Sequence, residues 1–196
     1  EGRFVTETRY RVSIGINSVA AKEGVMQTGG VGPGAGKGYE YLLNEIDIEE
    51  YARQASEIAV TMLNAEECPS GVMPVVIHNG FGGVIFHEAC GHPLEATSVA
   101  KNASVFCGKM GQKVASDIVT AIDDGTLENR WGSANYDDEG YPQQRRVLIE
   151  NGILKSYMVD KINGRRMNAE ATGSSRRQNY KFAPTSRMSN TYIDNG

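Results

Sequence analysis

The chain has 196 residues, of which 40% are hydrophobic and 22% charged, and its formal net charge is −4. This composition is ordinary for a soluble globular protein, and the negative charge gives no electrostatic reason to expect nucleic acid or an anionic membrane as a partner. No apolar run has the length of a transmembrane helix, and no signal peptide is visible.

The N-terminal region alternates apolar and polar side chains over residues 4–20, which predicts a half-buried β-strand. A glycine-rich stretch follows at Gly29–Gly38. It lacks the G-x-x-x-x-G-K-[ST] order of a phosphate-binding loop, because Gly38 follows Lys37. We therefore predict a flexible loop, and an N-terminal region of strand and loop over residues 1–40.

Residues 41–196 are predicted to form the main α+β region. Asp47 is a suitable N-cap for an amphipathic helix that runs to about Glu67. We expect this helix to have a packing role and no catalytic one. A short strand is predicted over Met73–His78, where His78 at the strand end is expected to be hydrogen-bonded and not a metal ligand.

The second half of the chain mixes helix and strand signals. A helix is predicted to start after Gly83, a second to cover Lys109–Ile118, and a strand to cover Ile118–Ile122. Asn151-Gly152 between two apolar runs is a strong hairpin signal, since both turn positions favour positive φ. The predicted fold class is α+β, with a mixed, largely antiparallel sheet packed with a few helices.

The segment His87-Glu88-Ala89-Cys90-Gly91-His92 carries the most chemical information. Two imidazoles that can bind a metal flank a carboxylate that can act on water, which is the residue set of a zinc hydrolase. The familiar zinc helix reads H-E-x-x-H, with its histidines four residues apart. Here they are five apart.

The wider spacing has a geometric consequence. Residues five apart on a regular α-helix are offset by about 140°, so His87 and His92 would point to different sides. A shared metal requires either a π-turn, which brings such residues into register, or a helix that ends near Gly91. Pro93 favours irregularity, because it lacks an N–H and disfavours the α region for His92. The other interpretation is a capped core helix whose histidines are only hydrogen-bonded.

A family resemblance begins at these residues. G-F-G-G-V-I-F-H-E-A-C-G-H-P-L-E is similar to the H-E-x-x-x-H segment of the TldD/PmbA family of metallopeptidases, older members of which were named modulators of DNA gyrase. The resemblance covers the chain from about Val75 to its end. It continues through residues 137–140, 147–154, 172–173, 176–177 and 184–191.

The resemblance implies a zinc-dependent, cytoplasmic peptidase that acts on small or unstructured peptides. It implies that His87 and His92 bind the zinc and that Glu88 is the general base. It also implies a homodimer, or a heterodimer with a related subunit that lacks the zinc motif. From charge and hydropathy we expect neither a membrane nor nucleic acid as a partner.

The third zinc ligand of the resembled family is a cysteine near the C-terminus, beyond the end of this chain. Two local candidates are Glu95, three residues after His92, and Cys107, fifteen residues after it. We expect neither to bind the metal. The isolated chain is therefore expected to bind zinc weakly or not at all and to be inactive.

Two charged stretches have several possible uses. Asp137-Asp138-Glu139 is expected to be a solvated turn, although the resemblance places it nearer a catalytic cleft. Residues 160–187 concentrate lysines and arginines, which fits a nucleic-acid surface, a lining for a substrate carboxylate, or an ion-paired loop. The alternative function is thus a non-catalytic module that binds a topoisomerase or nucleic acid through residues 160–187.

The cysteines and the chain ends complete the expectations. Cys68, Cys90 and Cys107 have no disulfide-framework spacing, which indicates a reducing, cytoplasmic compartment. The chain begins at Glu1 without a methionine and stops in mid-pattern. We therefore expect it to be a piece of a longer protein.

Overall fold

A β-hairpin packed on one helix forms the first unit of the fold, Arg9–Val76. In the computed structural model, which describes residues 2–195, strands β2 (Ile16–Lys22) and β3 (Val25–Val31) pair antiparallel along their full length. The turn between them has φ of 52° at Glu23 and 82° at Gly24. Positive φ at both positions is the requirement of the tight hairpin turn.

The predicted strand over residues 4–20 is only partly present. Pairing starts with β1 (Val12–Ser13), which meets β4 (Gly34–Ala35), and continues in β2. Residues 2–11 lie outside the described strands. The segment before Arg9 belongs to the second unit, where Glu7 accepts a hydrogen bond from the Asn135 amide at 2.6 Å.

The predicted flexible loop at Gly29–Gly38 is wrong, because Gly29 and Gly30 are paired residues of β3. A Cβ built on Gly29 would lie 2.2 Å from the carbonyl oxygen of Ala55. The glycine therefore permits a close approach of strand and helix, and it does not mark a loop.

The helix capped by Asp47 is confirmed. Helix α2 (Ile48–Leu63) follows the short α1 (Glu40–Asn44), and the Asp47 carboxylate accepts from the Glu50 amide at 3.0 Å. It ends four residues before the predicted Glu67. At its C-terminus the Asn64 side chain donates to the carbonyl of Val60, which satisfies one of the last carbonyls of the helix.

The predicted strand over Met73–His78 is wrong, since residues 65–78 form neither helix nor strand. Val72, Val75 and Val76 are exposed there. The compact units of the structure divide near residue 76, whereas the sequence suggested a division at residue 40. The physical reason is that α2 packs on β2 and β3, so helix and hairpin form one unit.

The second unit contains a four-stranded antiparallel sheet. Its strand order is β10 (Thr191–Ile193), β5 (Ala121–Asp124), β6 (Arg145–Glu150) and β7 (Ile153–Leu154). The predicted hairpin is confirmed, because Asn151 and Gly152 join β6 to β7 with φ of 48° and 79°. The strand predicted over Ile118–Ile122 is present, shifted toward the C-terminus as β5.

The helix predicted over Lys109–Ile118 is wrong. Its backbone bonds to the sheet edge instead: the Gly111 amide donates to Leu154 and the Val114 amide to Gly152, both at 2.8 Å. Gly108 and Gly111 have positive φ of 70° and 76°. The apolar periodicity of this stretch therefore serves contacts along a hairpin and not one face of a helix.

Short elements complete the second unit around a continuous core. They are helices α3 (Val84–Phe86), α4 (Ala96–Val99) and α5 (Lys161–Met167), and a ribbon of β8 (Ser175–Arg176) with β9 (Thr185–Ser186). The core includes Phe86, Leu94, Ala96, Leu148, Leu154, Met158 and Met188. The predicted class, α+β with largely antiparallel strands, is confirmed.

One buried carboxyl group of the sheet has a displaced pKa. Asp123 accepts hydrogen bonds from the Ser189 amide at 2.8 Å and the Ser189 hydroxyl at 2.9 Å. Burial raises the pKa of Asp123 to about 6, although these two bonds oppose the rise. The folded state therefore binds this proton more tightly than the unfolded chain does.

The pKa of Asp123 predicts a pH dependence of stability. The stabilisation from its proton is complete below about pH 4, near the ordinary value of 3.8, and is lost as the pH rises to about 6. The free energy of unfolding of wild type, relative to Asp123→Asn, should fall by about 2 kcal/mol between pH 4 and pH 6, and by about 3 kcal/mol in all once the pH is well above 6. Urea denaturation at several pH values measures it, with the exposed Asp117→Asn as control. Parallel curves for wild type and Asp123→Asn would contradict the assignment.

Candidate metal centre

The backbone of the His87–His92 segment departs from a regular α-helix as the sequence predicted. Helix α3 passes directly into a π-helical turn over His87–Gly91, and a 3₁₀ turn follows over His92–Leu94. The two imidazole rings have their centroids 4.7 Å apart at an interplanar angle of 87°. The π-turn thus brings together two side chains that a regular helix would separate.

The predicted effect of Pro93 on its neighbour is wrong. His92 keeps helical angles, with φ −58° and ψ −42°. Pro93 lies in the first turn of the 3₁₀ segment, where a missing N–H costs no hydrogen bond. The chain leaves the helical region at Glu95, whose ψ is 132°.

Three side chains converge at the turn. Potential ligand atoms of His87, Glu88 and His92 all lie within 4.8 Å of one another, and Nε2 of His92 is 3.9 Å from Oε2 of Glu88. Between residues 2 and 195 no other group of three His, Cys, Asp or Glu side chains meets this criterion. Two imidazole nitrogens and a carboxylate suit a divalent metal such as zinc, so the residues present fit one.

The other candidate ligands are engaged elsewhere. The Cys107 thiol donates to the carbonyl of Val99, and the exposed His78 bonds to the adjacent carbonyl of Asn79. Burial raises the pKa of the Cys90 thiol, which favours its neutral form over the thiolate that binds metals. None of the three joins the converging group.

Sequence reasoning missed the role of Glu95. Its buried carboxylate bonds to Nδ1 of His92 at 3.0 Å through one oxygen, and accepts from Arg187 at 2.9 Å through the other. Glu95 does not belong to the converging group, but it contacts His92, a member of that group, through Nδ1. The spacing of three between His92 and Glu95 was the available signal, whereas nothing local pointed to Arg187.

Residues 185–190, which we name the anchoring segment, fix the turn from the opposite side. Met188 packs against Gly91 so closely that a Cβ on Gly91 would lie 2.2 Å from its sulfur. Each neighbour is bonded to a different part of the second unit. The contacts are Thr185 with Thr97, Ser186 with Asp160, Arg187 with Glu95, Ser189 with Asp123 and Asn190 with Gly132.

The acidic turn is structural, and the expectation of a solvated turn is wrong for Asp137. This residue is buried, and its carboxylate accepts from the amides of Glu139, Tyr141 and Ser175 at 2.9–3.1 Å. One buried amide and two part-buried amides therefore depend on it. Asp138 instead accepts from the amide of Arg177 at 2.8 Å.

The basic stretch of residues 160–187 is partly neutralised within the fold. Arg187 pairs with Glu95, Arg177 with Asp138, and Arg166 donates to Asn163. These bonds favour the interpretation of an internally bonded loop for these three residues, and none of them contacts the converging side chains.

An apolar cavity of about 960 Å³ lies beside the same helical segment. Ile85, Phe86, Ala89 and Cys90 line it together with β10, whereas His87, Glu88 and His92 are not among its lining residues. The polar side chains and the apolar side chains of the segment thus occupy separate surfaces.

A His–Glu–His cluster at a helical turn, next to an antiparallel sheet, is the arrangement expected of a metal-dependent hydrolase. Comparison with known families agrees. The PmbA/TldA metallopeptidase central domain matches residues 1–63, and the C-terminal domain of the same family matches residues 70–196. The chain belongs to the PmbA/TldD metallopeptidase family.

Individual relatives support the same assignment. A metalloprotease TldD homolog of Buchnera aphidicola is 42% identical over 100% of this chain and 42% of its own length. A zinc metalloprotease TldD homolog of Saccharolobus solfataricus is 29% identical over 80% of this chain and 35% of its own. The chain spans about two fifths of the length of its near curated relatives.

The fold also has a solved counterpart. A Thermotoga maritima protein named as a modulator of a DNA gyrase superimposes with a TM-score of 0.78, over 94% of this chain and 40% of the other, at 24% identity. This similarity concerns the fold. None of the helices in residues 2–195 is long and apolar enough to cross a bilayer.

The Gly91–Met188 contact predicts a sharp effect of one methyl group. Gly91→Ala should lower the free energy of unfolding by about 1 kcal/mol, the low end of the cost of overpacking, because the added Cβ overlaps the buried Met188 sulfur and the flexible methionine side chain must shift. Gly83→Ala is the matched control, since a Cβ there meets nothing within 4 Å. Denaturant titration measures both.

The double variant Gly91→Ala/Met188→Ala identifies the cause. If the overlap with Met188 produces the loss, the two changes should couple favourably, so that the pair costs less than the sum of the single variants. Additive losses would show that the alanine at position 91 acts by another route.

Proposed function

We propose that the protein containing this chain is a zinc-dependent peptidase that hydrolyses small or unstructured peptides. The observation that carries the proposal is the convergence of His87, Glu88 and His92 at the π-turn. Membership of a metallopeptidase family supports it, and the name of the Saccharolobus solfataricus relative supports zinc as the metal.

His87 and His92 would hold the zinc through imidazole nitrogens. The bond from Nδ1 of His92 to Glu95 leaves Nε2 available, on the side where Glu88 lies. When bound, zinc supplies Lewis acidity, which makes water more acidic and polarises a carbonyl. Water and substrate have access, since the His92 side chain is 39% exposed and that of Glu88 is 67% exposed.

Glu88 would act as the general base. Among the contacts described, its nearest charged or imidazole partner is His92 at 3.9 Å, beyond hydrogen-bonding distance. A carboxylate without a tight partner can accept a proton from water and then release it to the departing amine. The substrate preference for small or unstructured peptides, and pairing as a homodimer or with a related subunit, belong to the same proposal.

Replacement of Glu88 tests the proposed base. Glu88→Gln should reduce peptide hydrolysis by the complete protein about 10²–10⁴-fold, because the amide cannot accept the proton. Zinc content should stay unchanged, and a chelator should abolish wild-type activity. Glu150→Gln, at an exposed carboxylate paired with Lys155, is the control. Full activity of Glu88→Gln would refute the assigned role.

The isolated chain should bind zinc weakly and lack activity. A catalytic zinc site has three protein ligands as a rule, and two imidazoles with Glu88 reserved as base leave this set incomplete. Competition with a chromophoric chelator measures the affinity, and a casein or peptide assay measures turnover. Tight, stoichiometric zinc that disappears in Cys107→Ala would contradict the proposal, since Cys107 would then be a ligand.

A further inference from the structure

Glu95 is a buried acid that contacts the proposed metal centre without joining it. Its side chain is 3% exposed, and both carboxylate oxygens are used. Oε1 lies 3.0 Å from Nδ1 of His92, and Oε2 lies 2.9 Å from a terminal nitrogen of Arg187. A buried carboxylate with these two partners is held in one orientation.

The backbone on both sides of this contact is fixed. Glu95 forms a parallel bridge with Met158, and the neighbouring Ala96 amide donates to the Met158 carbonyl at 2.8 Å. The Arg187 amide donates to Ser174 at 2.7 Å. The backbone of Glu95 and that of Arg187 are thus both hydrogen-bonded within the fold. The fold therefore sets the geometry of the contacts among His92, Glu95 and Arg187.

The donor and acceptor pattern determines which nitrogen of His92 carries the proton. Arg187 has only donors, and an ionised Glu95 has only acceptors. The Glu95 oxygen therefore requires a proton on Nδ1 of His92, which leaves Nε2 with its lone pair. A neutral imidazole binds a metal through the nitrogen that lacks the proton.

We infer that Glu95 and Arg187 are positioning residues that set the Nδ1–H tautomer and the ring orientation of His92 for metal binding. The inference rests on the proposed function for its purpose, but the tautomer itself can be measured without metal. The Glu95–Arg187 pair could instead stabilise the fold alone, and the two roles differ in what an amide at position 95 would do.

Glu95→Gln reverses the hydrogen-bond pattern at almost constant shape. The single oxygen of the amide would accept from Arg187, because Arg187 offers only donors. The NH₂ group would then face Nδ1 of His92 and donate to it. His92 should change to the Nε2–H tautomer, which presents a proton where the metal would bind.

The tautomer is read in the metal-free full-length protein at pH 8. Long-range ¹H–¹⁵N correlation on ¹⁵N-histidine protein reports it, and the difference spectrum against His92→Gln identifies the His92 signals. We expect Nδ1–H in wild type and Nε2–H in Glu95→Gln. An Nε2–H tautomer in wild type would overturn the inference.

A second substitution should restore the original tautomer. In Glu95→Gln/Arg187→Met the amide oxygen is released from Arg187 and can turn to accept from Nδ1 of His92. The double variant should therefore return to the Nδ1–H tautomer, although it lacks both the Glu95 carboxylate and the Arg187 guanidinium. Loss of a fold-stabilising pair predicts no such return, so an unchanged tautomer across the series would overturn the inference.

Zinc affinity gives the second measurement on the same full-length variants. Competition with a chromophoric chelator should show binding about 10–100-fold weaker in Glu95→Gln, with partial recovery in the double variant. Arg177→Met is the matched control, because Arg177 pairs with Asp138 in the same stretch, and its affinity should equal that of wild type.

The two hypotheses fail separately. If His87→Ala and His92→Ala leave zinc binding intact, the proposed metal centre is wrong, whatever the tautomer. If those variants lose zinc while Glu95→Gln retains full affinity, the centre stands and the positioning role of Glu95 and Arg187 is refuted.

Discussion

The candidate site depends on one extra backbone residue in the turn between His87 and His92. An α-helical turn would place these rings on different sides, whereas the π-turn over His87–Gly91 brings their centroids to 4.7 Å. Such a turn weakens the regular hydrogen-bond ladder of a helix, so the surrounding structure has to hold it. The surrounding structure contacts the turn at Gly91, where Met188 occupies the space that a side chain would fill.

The anchoring segment, residues 185–190, explains how a π-turn can persist near the surface. Its successive side chains bond to the sheet, to α4, to Asp160 and to Glu95, and its methionine contacts the turn itself. Gly91 and Met188 are 97 positions apart in the sequence, so their contact is non-local. A stretch that looks like an ordinary polar loop in the sequence is therefore part of the scaffold of the site.

The sequence predicted those features that local chemistry controls. The Asp47 cap and the Asn151-Gly152 hairpin follow from side chains within a few residues. The irregular helix over His87–Gly91 was predicted from the five-residue spacing of its histidines, and not correctly from Pro93. Sequence reasoning failed where distant partners decide. Gly29 is a strand residue because α2 approaches it, and Lys109–Ile118 is not helical because its amides bond to β7. The pairing of Glu95 with Arg187 was missed for the same reason, since 92 positions separate the two residues.

Two glutamates of one short segment show how burial assigns different chemistry to the same side chain. Glu88 is largely exposed and has no tight partner among the described contacts, so its oxygens are available to water and substrate. Glu95 is buried and uses both oxygens, one on an imidazole and one on a guanidinium. A buried carboxylate is costly to leave half-satisfied, and both oxygens of Glu95 have a partner. Exposure thus leaves the oxygens of Glu88 open to solvent, whereas burial commits those of Glu95 to His92 and Arg187.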